Sequence, residues 1–489
     1  MLQLPDARRR LLPAIVLSLA ALALRVWDFG NPVIHVDEQY YLLVGARIWN
    51  GAVPFIDLWD RKPVGLFLLY AIPAMLPGDG IAAYQVMATM AAAATAIVIR
   101  LAALRVGASP RGAMVAAIAY LVWLSVLGGR GGQAPVFYNL PVTIALLLTL
   151  KLPALAADGR RRSMVASGLA AALLGGIAIQ LKYTAAVEGA FVGLAHLWWL
   201  RRSGARPGRL ALAAMLFLAA GLAPTGIAAL SYAAMGPAAF SAFWFANFSS
   251  IFLRPPYPAD EVAMRLLGIA AQLSPLIACS LLAWRLRPRP TPPVLMLAAG
   301  WLVAAVGGFI AIGTFFDHYA LPLIAPLTVM SATTFGRRPR AAIGALGLGL
   351  LLFLAERAFI PDDAAGAREA ARLVRLNARG DCPYVFIGDT ITYRLADTCV
   401  PTPYAFPNML AYATEQGAMG IDEAAEVRRI LRRRPPVIVT STRELAIWNR
   451  QSLRAVKQAL RCDYRRVWTT PRGQWDTVIY LRRDLRFEH

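Results

Sequence analysis

The run PVGLFLLYAIPAMLP, residues 63–77, decides the topology of this chain. Read as a membrane span, it puts the arginines at 100–111 outside and inverts every later loop. Read as a helix lying along the surface, it leaves all the basic clusters on one side. The run is short for a hydrocarbon core of roughly 30 Å, is bounded by Pro63 and Pro77, and contains Pro73. It reads as an interfacial or re-entrant helix on the outer face, packed against protein that satisfies its backbone.

Around it, apolar runs of about 17 to 24 residues recur, each long enough to cross a bilayer. They lie near 11–28, 81–104, 112–128, 138–156, 164–181, 184–200, 210–233, 263–285, 294–316, 318–335 and 341–359. Basic clusters at 8–10, 100–111, 151–162, 201–209, 285–289 and 337–340 separate them. Placing all six in the cytosol obeys the positive-inside rule and pairs the spans between them. Only 16% of the chain is charged, against roughly a quarter in soluble domains. The net charge of +22 is spread over short membrane loops, so it does not point to nucleic acid. The first run, after Arg8–Arg10, resembles a signal peptide; it is read as retained, because an acidic motif follows it directly.

The expected architecture is an all-α polytopic membrane domain of about eleven transmembrane helices over 1–360, with an outer loop bearing interfacial helices at 31–80. A small α/β extracytoplasmic domain follows at 361–489. Helix-like segments at 364–379, 422–434 and 451–460 alternate there with strand-like ones at 384–387, 437–440 and 478–481. Parity places the N-terminus in the cytosol and this tail in the periplasm of a bacterial-type inner membrane. An oxidising compartment permits a Cys382–Cys399 disulfide, although Cys462 allows other pairings. Trp198, Trp199, Trp284 and Trp301 lie near span ends and fit interfacial anchoring.

The outer loop reads His35-Val36-Asp37-Glu38-Gln39-Tyr40-Tyr41 and then Asp57-Leu58-Trp59-Asp60-Arg61-Lys62-Pro63. Carboxylates concentrate beside a membrane surface, where Asp37 also suits a helix N-cap. The chain has four lysines, and Lys62 and Lys182 fall on the expected outer side, against the charge rule. Ionisable groups out of place near a membrane are functional candidates. Glu188 is expected to pair with Lys182. Glu38 and Asp60 either orient hydroxyls or hold the loop through ion pairs with Arg61 and Arg47. His35 and Asp317 are potential zinc ligands without a metal-site spacing, so no cofactor is expected. The turn Gly128-Gly129-Arg130-Gly131-Gly132 is flexible and, with no Lys-Ser or Lys-Thr helix start after it, is not a phosphate cradle.

The D-E-x-Y-Y motif at Asp37–Tyr41 resembles that of the integral-membrane glycosyltransferases of the C-type fold. The D-x-K-P motif at Asp60–Pro63 resembles their protein-mannosyltransferase and aminoarabinose-transferase branches. The glycine-spaced run from Gly168 to Lys182 and the segment Phe316-Asp317-His318-Tyr319-Ala320-Leu321-Pro322 are similar to further family elements, in the expected order. The resemblance implies transfer of a sugar from a polyprenyl-phosphate donor to a glycan, lipid or protein acceptor at the outer leaflet. Asp37 matches the catalytic base, with Glu38 and Asp60 beside it. Lys62 is assigned to the donor phosphate, helped by Lys182, His318, Tyr319 and Arg254, and Tyr40, Tyr41 and Arg61 to substrate. Arg61 stands where some members carry an acidic residue, which disfavours a metal of the aminoarabinose-transferase kind. The rival is a flippase or transporter of lipid-linked sugar, for which repeated halves are the expected sign; none is visible.

Overall fold

The computed structural model of the protein describes residues 6–311, 313–360, 363–443 and 447–489, with side chains from Leu11 onward. The side chains of Arg8–Arg10, and Pro361 at the expected domain junction, lie outside the described residues. Each of the eleven predicted spans is helical. Eight of these helices are long and apolar enough to cross a membrane. Pro110–Val126 and Leu321–Arg337 are shorter, at 17 residues each, and Ala185–Arg202 carries Glu188, Arg201 and Arg202. The predicted span 294–316 stops early, as helix Pro293–Ile310, and the chain soon turns through Gly313 at φ +73°.

Two compact units form. One comprises 1–28, 86–228 and 258–358, and the other 29–85, 229–257 and 359–489. In the first, Pro110–Val126 packs on Leu321–Arg337 closely enough that a Cβ on Gly112 would sit 2.3 Å from the Ala332 carbonyl. No larger residue fits there. The glycine turn at 128–132 is held rather than flexible. Buried Arg25, at the end of helix Asp6–Arg25, donates to the Gly129 and Gly131 carbonyls and to Thr89 Oγ1. Arg130 in the same turn bonds Asp28 at 2.9 Å. The first helix therefore contributes a structural side chain to this turn.

Two further expectations are corrected in this unit. Glu188 accepts from the Trp301 indole at 2.7 Å and does not pair with Lys182. Trp301 is 1% exposed, so it is an internal partner and not an interfacial anchor; Trp198, at 59% exposed, does fit that role. A buried carboxyl takes whichever donor reaches it, and here the indole does.

In the second unit, helices Val36–Ile48 and Val64–Met75 pack at backbone distance, and a Cβ on Gly45 would meet the Tyr70 carbonyl carbon at 2.6 Å. Val64–Met75 has 12 residues, about 18 Å at 1.5 Å per residue, too short to span a bilayer. His35, not Asp37, caps the Val36–Ile48 helix: its Nδ1 accepts the Asp37 amide at 3.3 Å, and Asp37 sits in the first turn. Between these helices Phe55 adopts φ 71°, held among Phe67, Tyr232 and Phe243.

The tail forms a four-stranded sheet in the order β1-β2-β4-β3, from β1 (Tyr384–Val385), β2 (Val437–Ser441), β3 (Tyr464–Arg472) and β4 (Trp475–Arg482). β1 and β2 are parallel, the other pairings antiparallel. Helices Ala364–Ala378, Glu423–Arg432 and Arg450–Asp463 match the three predicted ones. Strand β3 escaped the sequence reading because most of it is not buried and its arginines hide its alternation.

Cys382 and Cys399 form a disulfide; Cys279 is buried and Cys462 exposed. Its ring contains Asp389, which accepts from Gln39 at 2.8 Å, and Thr398, whose carbonyl takes Arg47. Gln39 and Arg47 both lie on the Val36–Ile48 helix, so the ring holds that helix from the tail side. Replacing both cysteines with serine is expected to cost about 3 kcal/mol for a loop of this length, read as a lowered Tm under non-reducing conditions.

Candidate active site

The D-x-K-P segment is fixed from two directions. The Trp59 amide donates to the Pro403 carbonyl at 2.9 Å, and the Trp59 carbonyl accepts from the Tyr40 hydroxyl at 2.8 Å. Tyr40 is fully buried, which holds its hydroxyl well above the ordinary phenol range, with the Asp60 charge adding to the effect. It therefore works as a neutral donor that positions the next residue.

That residue is Asp60, 7% exposed, with Oδ1 taking the Arg61 amide at 2.6 Å. Burial raises its carboxyl above the ordinary value. The Lys62 ammonium, 4.0 Å away, opposes that shift, and the Asp37 carboxylate adds to it. Asp37, Lys62 and, with a smaller effect, Arg61 thus form one electrostatic cluster around Asp60. Asp37 lies 3.8 Å from His35 Nδ1 and keeps 15% of its side chain exposed, the most open of the two carboxylates. Lys62 also sits 5.7 Å above the Tyr41 ring, itself packed edge-on against Phe67 and Tyr70. Asp57 is structural: it accepts the Val53 amide at 2.7 Å and shapes the turn before Trp59.

Glu38 is fully buried and accepts from the Tyr84 hydroxyl at 3.2 Å. The ion pairs expected of Glu38 and Asp60 do not join them to Arg61 and Arg47. Arg61 bonds Glu415 Oε2 at 2.6 Å and lies 4.9 Å over Trp59, while Arg47 reaches the Thr398 carbonyl. Arg254 bonds the other oxygen of Glu415, also at 2.6 Å. One tail carboxylate therefore ties together two arginines singled out in the sequence. Nothing around Glu415 in the sequence marks it, since the contact comes from distant parts of the chain.

The first unit holds a separate cationic and aromatic group. Lys182 Nζ lies 3.9 Å from the Tyr319 ring centroid, and Tyr319 packs edge-on against His318 at 4.6 Å. His318 stacks on Phe316, which also packs edge-on against Tyr319 and lies 4.1 Å from the Arg265 guanidinium. Arg265 was missed, although it lies early in helix Ala259–Arg285 on the expected outer side, the signal that drew attention to Lys182. Asp317 is exposed in the same unit. In the second unit His35 and Asp37 supply a nitrogen and a carboxylate oxygen, two ligand atoms where zinc takes four.

The fold is that of the C-type integral-membrane glycosyltransferases. Among solved structures it is similar to ArnT, the aminoarabinose transferase, from Cupriavidus metallidurans: in the apo state the TM-score is 0.65 at 13% identity, covering 97% of this chain and 98% of that one. The same protein bound to undecaprenyl phosphate gives 0.62 at 14% identity, covering 97% of each. The archaeal oligosaccharyltransferase AglB from Archaeoglobus fulgidus, in complex with an inhibitory peptide and a dolichol-phosphate, gives 0.51 at 12%, covering 96% of this chain and 74% of AglB. No protein-family model matches the sequence, and no curated protein matches it either.

Proposed function

We propose that this chain is a membrane glycosyltransferase that moves a sugar from a polyprenyl-phosphate carrier to an acceptor hydroxyl at the outer face of an inner membrane. The observation that carries the reading is the cluster in which Asp37 and Lys62 both act on buried Asp60. The acceptor oxygen attacks the anomeric carbon, its proton passes to Asp37, and the bond to the lipid phosphate breaks. Charge grows on that phosphate, and a fixed ammonium in a partly dry site stabilises it better than water does. Lys62 takes that role, and Asp60 fixes Lys62. Attack opposite the leaving phosphate inverts the anomeric centre.

Lys182 with Tyr319 and His318, and Arg61 with Arg254, are proposed as further anion-recognising groups, each tested in its own right. Tyr40 and Glu38 hold the site rather than react. The bound undecaprenyl phosphate in one structural neighbour and dolichol-phosphate in another support a lipid-phosphate donor. The His35–Asp37 pair is compatible with a divalent ion that finds its other ligands elsewhere, and no step requires one. The N-terminus is placed in the cytosol and the tail outside, as charge parity requires.

Purified protein supplied with polyprenyl-phosphate sugar and acceptor tests this reading. Release of free lipid phosphate supports it; movement of intact lipid-linked sugar without release identifies a flippase instead. Lys62→Ala is expected to lower kcat/KM for the donor by about tenfold to a hundredfold, the scale of losing one charge-assisted contact. It also removes the cation that opposes the upward shift of Asp60. Asp60 then holds its proton to higher pH, and the acid limb of the rate profile moves toward neutrality. An unmoved limb with unchanged kcat/KM removes Lys62 from the site.

A further inference from the structure

At the end of helix Val64–Met75 the second unit opens a cleft of about 480 Å³, lined by Gly78, Asp79, Arg368, Arg372, Arg375, Arg394, Leu395 and Asp397. None of these residues takes part in the chemistry above. Their charges are unevenly matched. Arg368 pairs with Asp79 at 2.7 Å and reaches the Gly30 carbonyl, and Arg372 is bidentate on Glu369. Asp397 acts on Arg47, outside the lining. Arg375 and Arg394 are bonded only through backbone carbonyls, those of Leu395 and Ala74, the latter at 3.5 Å. A guanidinium has five N–H donors, so each retains most of its capacity. Two forks with no carboxylate of their own, side by side on one cleft, suit a phosphate.

The helix that ends at this cleft shows which phosphate. Leu68, Ile72 and Met75 recur at positions i, i+4 and i+7, and with Leu76 they are 47% to 60% exposed. They form an apolar strip on one face of a helix too short to span, next to Asp79 and Ala74, which hold Arg368 and Arg394. An apolar strip running into a cluster of arginines is the pattern of a surface that sinks its greasy face among acyl chains and holds a headgroup beside it.

We propose that this cleft binds the phosphate of an anionic phospholipid headgroup, with Arg375 and Arg394 as its main ligands and the acyl chains along Leu68, Ile72, Met75 and Leu76. The site rests on reading Val64–Met75 as an interfacial helix and is independent of the transfer chemistry. It anchors the helix that follows Lys62 and Pro63 to the lipid surface.

The full chain, reconstituted in phosphatidylcholine vesicles with a minor fraction of spin-labelled phosphatidylglycerol, gives the test. The wild type is expected to hold phosphatidylglycerol in preference to phosphatidylcholine, and R375Q/R394Q to lose about tenfold of that preference. R375K/R394K, which keeps the charge, is expected to retain a good part of it. Should the double glutamine variant fail to fold, R394Q alone, whose bond to Ala74 is long, is expected to lose about threefold, on the scale of a weak charged contact. Equal preference in wild type and the glutamine variants overturns the proposal. Displacement of the lipid by millimolar inorganic phosphate overturns it too, because it would mark a site for a soluble anion. Glycosyl transfer is not read in any arm, so a failed donor assay leaves the outcome unaffected.

Discussion

Asp37→Asn is expected to lower turnover by about a hundredfold to ten-thousandfold, the range that general-base catalysis supplies, while leaving Tm within a degree or two of the wild type. The fold tolerates the change because the Asp37 side chain does not cap its helix; His35 does, through the Asp37 main-chain amide, which the substitution keeps. Removing the charge also relieves Asp60, whose carboxyl Asp37 helps to push up. Asparagine keeps the size and the main-chain cap while leaving the acceptor hydroxyl without a base. Lipid-phosphate release in single-turnover conditions reads the chemical step apart from product release. Normal release by a folded Asp37→Asn protein would show that another group, Asp60 first, takes the proton. Asp60→Asn in the same assay separates the two: as a positioning group for Lys62 it should raise the donor KM more than it lowers kcat.

The motifs that carry this prediction were legible because they are local. Asp37 to Tyr41 and Asp60 to Pro63 each fit within one turn or short segment, and a lysine on the wrong side of the charge rule stands out without any fold in hand. The membrane helices were legible for the same reason, since each is a single apolar run. What escaped was non-local pairing. Arg25 reaching the carbonyls of Gly129 and Gly131 converts an apparently flexible glycine turn into a held one. Glu188 faced a lysine in sequence and an indole in space. Local spacing identifies which groups need a partner, and burial decides which distant group supplies it. Strand β3 failed differently: a strand left mostly unburied, with Arg465, Arg466 and Arg472 along it, has no period-two apolar pattern to find.

Glu415→Ala is the substitution expected to damage the protein most. Its carboxylate, 5% exposed, bonds Arg61 through one oxygen and Arg254 through the other, each at 2.6 Å, and those side chains are 14% and 18% exposed. Deleting it leaves two buried guanidiniums facing a common gap. Breaking a buried pair by removing one partner typically costs about 3–5 kcal/mol, because the surviving charge keeps its desolvation cost and loses its compensation. Here two charges survive, and at an effective dielectric of about 20 two cations roughly 5 Å apart repel by about 3 kcal/mol before they move. They are expected to separate, and Arg61 then draws on Asp60 and Lys62 beside it in the chain. The expected result is a large fall in Tm accompanied by loss of turnover. Glu415→Gln, which keeps one good acceptor, should lie between the extremes. Pairing Glu415→Ala with Arg254→Met removes one of the two facing charges and should recover stability without fully recovering activity, a coupling that a double-mutant cycle measures directly. If Glu415→Ala retained wild-type Tm, the two arginines would have to be finding water or another anion, and the bridge would not be what holds the D-x-K-P segment in place.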